Sequence, residues 1–166
     1  MSAGHAPRSL LSSSGYTFVE LLVVATIVMI LASAIMPLAK VTSTRTREAE
    51  LRRSLREIRD AIDAYKRASD DGRIVRSPVQ SGYPPTLSVL AEGVTDAKSP
   101  SGARIYFLRR VPRDPLRPDP SVPPEDTWGL RSYDSAPQEP KPGSDVFDVY
   151  SLNERKGLNG VRYRLW

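Results

Sequence analysis

The chain has 166 residues, 40% of them hydrophobic and 26% charged, which is the balance of an ordinary folded protein rather than a disordered or fibrous one. It has no cysteine and one histidine, His5, so disulfides, thiolate zinc sites and Ser–His or Cys–His catalysis are excluded once the first residues are removed. The net charge of +5 does not point to nucleic acid, because arginines between 45 and 67 are interleaved with acids and form no Lys/Arg block with aromatics between.

The first segment with a pattern is Ser-Ser-Ser-Gly-Tyr-Thr-Phe-Val-Glu, residues 12–20. It opens onto an uncharged apolar run, Leu21 to Ala39, of 19 residues. As a helix this run is about 28 Å long, close to the roughly 30 Å of a bilayer's hydrocarbon core. It is therefore predicted to span a membrane, with Pro37 kinking its far end. Glu20 sits on the edge of the run. An ionised carboxylate costs on the order of 2.5–3.5 kcal/mol near a bilayer centre and less toward the interface, so Glu20 calls for a partner. A positive charge on another copy of the chain is the candidate.

Two cleavage patterns compete. Arg8, the apolar run and Ala32-Ser33-Ala34 fit a secretory signal peptide, which would release a soluble exported binding protein beginning at Ile35. A cut between Gly15 and Tyr16 would instead leave the apolar helix on the mature chain. An acid beside the apolar region favours the second. Lys40, Arg45 and Arg47 follow the run, and the positive-inside rule alone would put the C-terminal part in the cytoplasm; dedicated export of the domain beyond a short leader is expected to override it.

After Lys40 the helix is predicted to continue to about Asp70 and to stop at Gly72. Leu51, Leu55, Ile58, Ile62 and Tyr65 form one apolar stripe at helical spacing. Glu48/Arg52, Arg53/Glu57, Arg56/Asp60 and Arg59/Asp63 have the spacing of i,i+4 ion pairs, each contributing about 0.2–0.5 kcal/mol. Beyond Gly72 the composition changes: thirteen of the fifteen prolines lie between Pro78 and Pro142. A helical turn is expected at Thr86–Ala91. Strands are expected at Arg104–Arg110, Thr127–Tyr133, Asp145–Leu152 and Val161–Trp166, the last preceded by the turn pair Asn159-Gly160. The fold class is α+β: a long N-terminal membrane-spanning helix whose C-terminal half packs on a small antiparallel sheet. The expected organisation is a leader at 1–15, a membrane and assembly segment at 16–39, an amphipathic continuation at 40–71 and a head at 72–166.

No phosphate loop or zinc motif is present, and the chain is read as non-enzymatic. Asp114, Asp119, Glu125 and Asp126 are read as a solvated loop, and Asp145 and Asp148 as caps or solvent-facing acids.

The run Gly15-Tyr16-Thr17-Phe18-Val19-Glu20-Leu21-Leu22-Val23-Val24 resembles the class III signal of type IV pilins and type II secretion pseudopilins, with Tyr16 where the family usually has Phe. Pro37 falls where the family commonly has proline. The head resembles the G-type pseudopilins through Tyr83-Pro84, Val111-Pro112-Arg113-Asp114-Pro115, Trp128-Gly129, Val146-Phe147-Asp148-Val149-Tyr150-Ser151 and Gly157-Leu158-Asn159-Gly160 with Tyr163 and Trp166. It departs where Leu116 to Thr127 separates Asp-Pro from Trp-Gly.

The resemblance implies a pilin-like fold and a structural role. A prepilin peptidase would cut after Gly15, and the new amine of Tyr16 would be methylated. Glu20 would meet the amine of a neighbouring subunit during assembly into a helical filament. The implied partners are other copies, other pseudopilins and an inner-membrane assembly platform. The implied location is the bacterial inner membrane, with the head in the periplasm and no nucleic acid bound. A type IV pilin or minor pilin in adhesion, motility or DNA uptake is the alternative. Many family members hold calcium in the last loops, but here Ser151–Trp166 contains one acid, Glu154, between Asn153 and Arg155. No cofactor is assigned, and calcium stays an open alternative.

Overall fold

The computed structural model describes the backbone of residues 15–166 and, apart from 34–39, their side chains. The described residues up to Val41 form one unit and those from Thr42 a second.

Helix α1 runs Phe18–Asp70. Thr17 caps it: the Thr17 hydroxyl accepts the Glu20 amide at 3.3 Å, and the Thr17 carbonyl accepts the Leu21 amide at 3.1 Å. Thr-x-x-Glu is the capping-box sequence, and the hydroxyl satisfies an N–H that has no partner inside the helix. In the first unit the apolar side chains from Tyr16 to Leu31 are exposed. Thr26 and Ser33 turn their hydroxyls back onto the Leu22 and Ile30 carbonyls at 2.8 and 2.7 Å, which hides their polarity within the helix. Among the described residues no helix is long and apolar enough to cross a membrane. Side chains 34–39, which complete the apolar run and include the expected kink at Pro37, lie outside the described residues, as does the leader up to residue 14.

In the second unit the predicted stripe is the core. Leu51, Leu55, Ile58, Ile62 and Tyr65 are all buried, together with Ala61 and Ala68. The helix ends where glycine was expected to end it. Gly72 has φ +70°, the Arg73 amide reaches back to the Ala68 carbonyl at 2.9 Å, and the Gly72 amide reaches the Ser69 carbonyl at 3.0 Å. These are the two bonds of a Schellman stop, which needs the left-handed conformation that glycine adopts without strain.

The head's elements are short. Helix α2 spans Ser88–Glu92, near the predicted turn, and buries Leu90. Strands β1 (Val94–Thr95) and β2 (Arg104–Ile105) pair antiparallel. Strands β3 (Trp128–Arg131) and β4 (Asp148–Ser151) form a second antiparallel pair, in register from Trp128↔Ser151 to Arg131↔Asp148. A 3-10 turn at Pro124–Thr127 leads into β3. The architecture is α+β, with two small two-stranded sheets in place of the single sheet expected.

Two strand expectations are corrected. The segment predicted as Arg104–Arg110 is a strand only to Ile105, because the Phe107 and Leu108 amides both turn to the Leu90 carbonyl, at 3.0 and 2.9 Å. The last segment, Val161–Trp166, is not a strand. It makes one bridge, Lys156↔Arg162, and then a 3-10 turn at Tyr163–Leu165. Its alternation fails as well: Tyr163 is buried, while Val161 and Leu165 are exposed.

Candidate functional site

The residues singled out at the N-terminus lie together at the start of α1. Gly15 precedes the helix, and a Cβ built on it would meet nothing within 4 Å. Tyr16 is exposed, Thr17 is the cap, and Glu20 occupies the first turn. The helix N-terminus carries a partial positive charge, which favours a carboxylate in that turn. Glu20 is exposed and has no ion pair among the described residues. Among the described residues the geometry thus presents an exposed Gly–Tyr step before the helix and, just beyond it, an acid at the head of an exposed apolar surface.

In the head, four acids hold the loops rather than face solvent. Asp114 is fully buried; its carboxylate accepts the Ser151 hydroxyl at 2.6 Å and the Leu116 amide at 2.8 Å. Burial raises its pKa, and the two hydrogen bonds only partly oppose that shift. The solvated-loop reading of Asp114 is therefore wrong. Asp119 does sit in an exposed turn, bonded to Ser121, which lowers its pKa. Asp145 is buried and accepts from the hydroxyls of Ser81 and Ser132 and from the Tyr133 amide. Asp148 pairs with Arg59 at 2.7 Å.

The fourth acid is Glu48, on α1. One oxygen of its carboxylate accepts the Leu158 amide at 2.7 Å and the Tyr163 hydroxyl at 2.9 Å. Glu48, Arg52 and Arg59 are thus turned away from their predicted i,i+4 partners. Glu48 binds the C-terminal loop, Arg52 lies 4.2 Å over the Trp166 ring, and Arg59 donates to Asp148 and to the Val149 and Trp166 carbonyls. An i,i+4 pair does form at Lys66–Asp70. Glu48, Arg52 and Arg59 line one flank of α1 beside the apolar stripe, a second periodicity that charge pairing along the helix concealed.

A cavity of about 390 Å³ opens beside Ser69, Arg76, Ser81, Tyr83 and Asp145. Its carboxylate is occupied by three donors, so it has no acid pair poised for chemistry. Among the described residues no group of three or more His, Asp or Glu is placed to hold a metal.

Comparison with curated proteins adds one relative. The chain is 28% identical over 138 residues to the type II secretion system core protein G of Klebsiella michiganensis, covering 81% of this chain and 89% of the relative. This similarity supports the pseudopilin and type IV pilin superfamily. No family model matches, and no solved structure matches. The pieces by which the head resembled G-type pseudopilins are structural: Trp128-Gly129 begins β3, and Asp148-Val149-Tyr150-Ser151 is β4.

Proposed function

We propose that the chain is a structural pseudopilin subunit of a type II secretion-like system. Prepilin peptidase cuts it between Gly15 and Tyr16, and the Tyr16 amine is then methylated. The mature subunit is held in the bacterial inner membrane by one span, residues 16–39, with its head in the periplasm. It joins other copies and other pseudopilins, through an inner-membrane assembly platform, in a helical filament that supports protein export. Its role is assembly, not catalysis.

One observation carries this reading: Glu20 stands in the capped first turn of α1, at the edge of an exposed apolar surface, with no counter-charge among the described residues. In lipid an unpaired carboxylate is unfavourable, and an opposite charge beside it favours the ionised form. The amine released at Tyr16 of a neighbouring copy is such a charge. Repeated head-to-tail, that contact generates an open helix. The relative named as a secretion core protein directs the choice toward export.

Two measurements test it. Mass spectrometry of the native protein should find a first residue of methylated Tyr16; Ile35 would mean a secretory signal peptide instead. Deletion of the gene should abolish export of secreted proteins and leave surface fibres intact. The reverse outcome would assign the chain to a type IV pilus.

A further inference from the structure

The resemblance to G-type pseudopilins implies calcium in the last loops, and the residues present there do not fit it. Calcium takes six to eight oxygens at about 2.3–2.6 Å, usually with several carboxylates among them. Between Ser151 and Trp166 the one carboxylate is the exposed Glu154, while Arg155, Lys156, Arg162 and Arg164 bring four positive charges. The asparagine and serine side-chain oxygens of the segment are already engaged. Asn153 Oδ1 accepts the Arg155 amide at 3.0 Å, Asn159 Oδ1 accepts the Val161 amide at 3.1 Å, and the Ser151 hydroxyl donates to Asp114.

We propose that this loop is closed by a carboxylate from α1, Glu48, in place of a metal ion. Glu48 is buried and reaches the loop at two points, the Leu158 amide and the Tyr163 hydroxyl, so one anionic oxygen ties the turn to the segment that follows it. Gly157 makes room for this: a Cβ there would lie 3.0 Å from the Glu48 oxygen and would collide with the Trp166 ring. The loop also closes on itself, through the Gly157 amide to the Val161 carbonyl at 2.9 Å and the Tyr163 amide to the Arg155 carbonyl at 3.1 Å. The Tyr163 ring meets Trp166 edge-on at 5.0 Å, under Arg52. Burial, and then the bond to Glu48, raise the Tyr163 pKa, so the hydroxyl keeps the proton it donates. A charged acceptor makes these bonds stronger than neutral ones. The loop is thereby clamped to the helix by groups within the chain. This inference concerns the unit from Thr42 onward alone and holds whether the filament serves secretion or a pilus.

The test uses the full mature chain in detergent, followed by thermal unfolding and by trypsin, which cuts after Arg155, Lys156, Arg162 and Arg164. Added calcium chloride or EDTA should leave both Tm and cleavage unchanged. Glu48→Ala should lower Tm and speed loop cleavage at least several-fold, with or without calcium. Glu48→Gln, which keeps an acceptor oxygen, should retain most of the protection and still ignore calcium. A Tm raised by several degrees in calcium, the shift that saturating a native-state site produces, would overturn the proposal. So would a loop opened by EDTA, or a Glu48→Ala loop as resistant as the wild type. Should Glu48→Ala fail to fold, the calcium and EDTA arms on the wild type and Glu48→Gln still decide it.

Discussion

Asp114 and Ser151 are joined by a 2.6 Å hydrogen bond, carboxylate to hydroxyl, and neither has any exposed surface. The bond ties the start of the proline-rich loop to the end of β4. Leu116 donates to the other oxygen, and Thr127 Oγ1 accepts the Asp114 amide at 3.1 Å. Asp114→Ala leaves the Ser151 hydroxyl and the Leu116 amide buried without acceptors. Each orphaned group costs about 1–3 kcal/mol, so the variant should lose roughly 2–6 kcal/mol in total. Urea unfolding of the full chain measures it. Asp114→Asn keeps an acceptor for Leu116 and should lose less.

The same residue sets a pH dependence. Burial raises the folded-state pKa of Asp114 above 3.8, so the folded protein binds its proton more tightly than the unfolded chain does. Its effect on stability is therefore most favourable below 3.8, and it declines as pH rises from there through the raised folded pKa. Asp96 acts in the opposite sense. The hydrogen bond from Arg73 lowers its pKa below 3.8, so its contribution is complete above 3.8 and is lost as pH falls through the lowered value. Relative to wild type, Asp114→Asn should look most destabilised in acid and least at neutral pH. Asp96→Asn should show the reverse. Unfolding free energies measured across pH 3 to 7 give both slopes.

The helix was legible in the sequence because its signals are local and periodic. The uncharged apolar run, the apolar stripe and the glycine stop each rest on a few neighbouring residues. The head was less so. Leu90 draws Phe107 and Leu108 out of a strand, and a sequence pattern does not show such a distant acceptor. Glu48 and Arg59 were misplaced because i,i+4 spacing offers a nearby partner, while their true partners lie 110 and 89 residues away. Asp114 did leave a trace. An aspartate accepting the amide two residues on is an Asx turn, and Asp-Pro-Leu has that form. The N-terminal residues were legible as a motif, and the structure adds the cap that places Glu20 in the first turn.

Gly129 faces Tyr150 across the β3–β4 pair, and a Cβ built on it would run into the Tyr150 ring. Gly129→Ala should therefore destabilise the head by about 1–3 kcal/mol, as overpacking does. Tyr150→Ala removes the obstacle. In the double variant the cost of Gly129→Ala should largely vanish, giving a coupling energy of at least about 0.5 kcal/mol in a double-mutant cycle. Additive losses would show that the ring moves aside freely.

Glu20→Ala should leave the subunit in the membrane and keep it out of the filament. The cap is formed by the backbone amide of residue 20, so it survives the substitution, and the exposed apolar surface is unchanged. What is lost, on the proposed assembly, is the counter-ion for a neighbour's amine. Breaking one half of a buried ion pair typically costs about 3–5 kcal/mol, enough to depress incorporation more than a hundred-fold. Membrane fractionation and crosslinking of filaments separate the two effects. Normal incorporation of the variant would remove the ion-pair mechanism.

Gly15→Val isolates processing from folding. Gly15 does not need a left-handed backbone, and a Cβ there meets nothing within 4 Å. A branched side chain at that position therefore has no packing or strain cost within the described chain. If prepilin peptidase requires the small residue before Tyr16, the variant should accumulate as uncut precursor with an unchanged head. Its trypsin pattern and Tm should match those of wild type, while its N-terminus starts at the leader. Export should fall as in the deletion strain, because no free amine at Tyr16 is made for Glu20 of the next subunit to meet. Gly157→Ala is the complementary control: it crowds Glu48 and Trp166 in the head, so it should lower Tm and leave the cut after Gly15 untouched. A Gly15→Val chain that is still cut, or that exports normally uncut, would mean the leader is removed by another route or need not be removed at all.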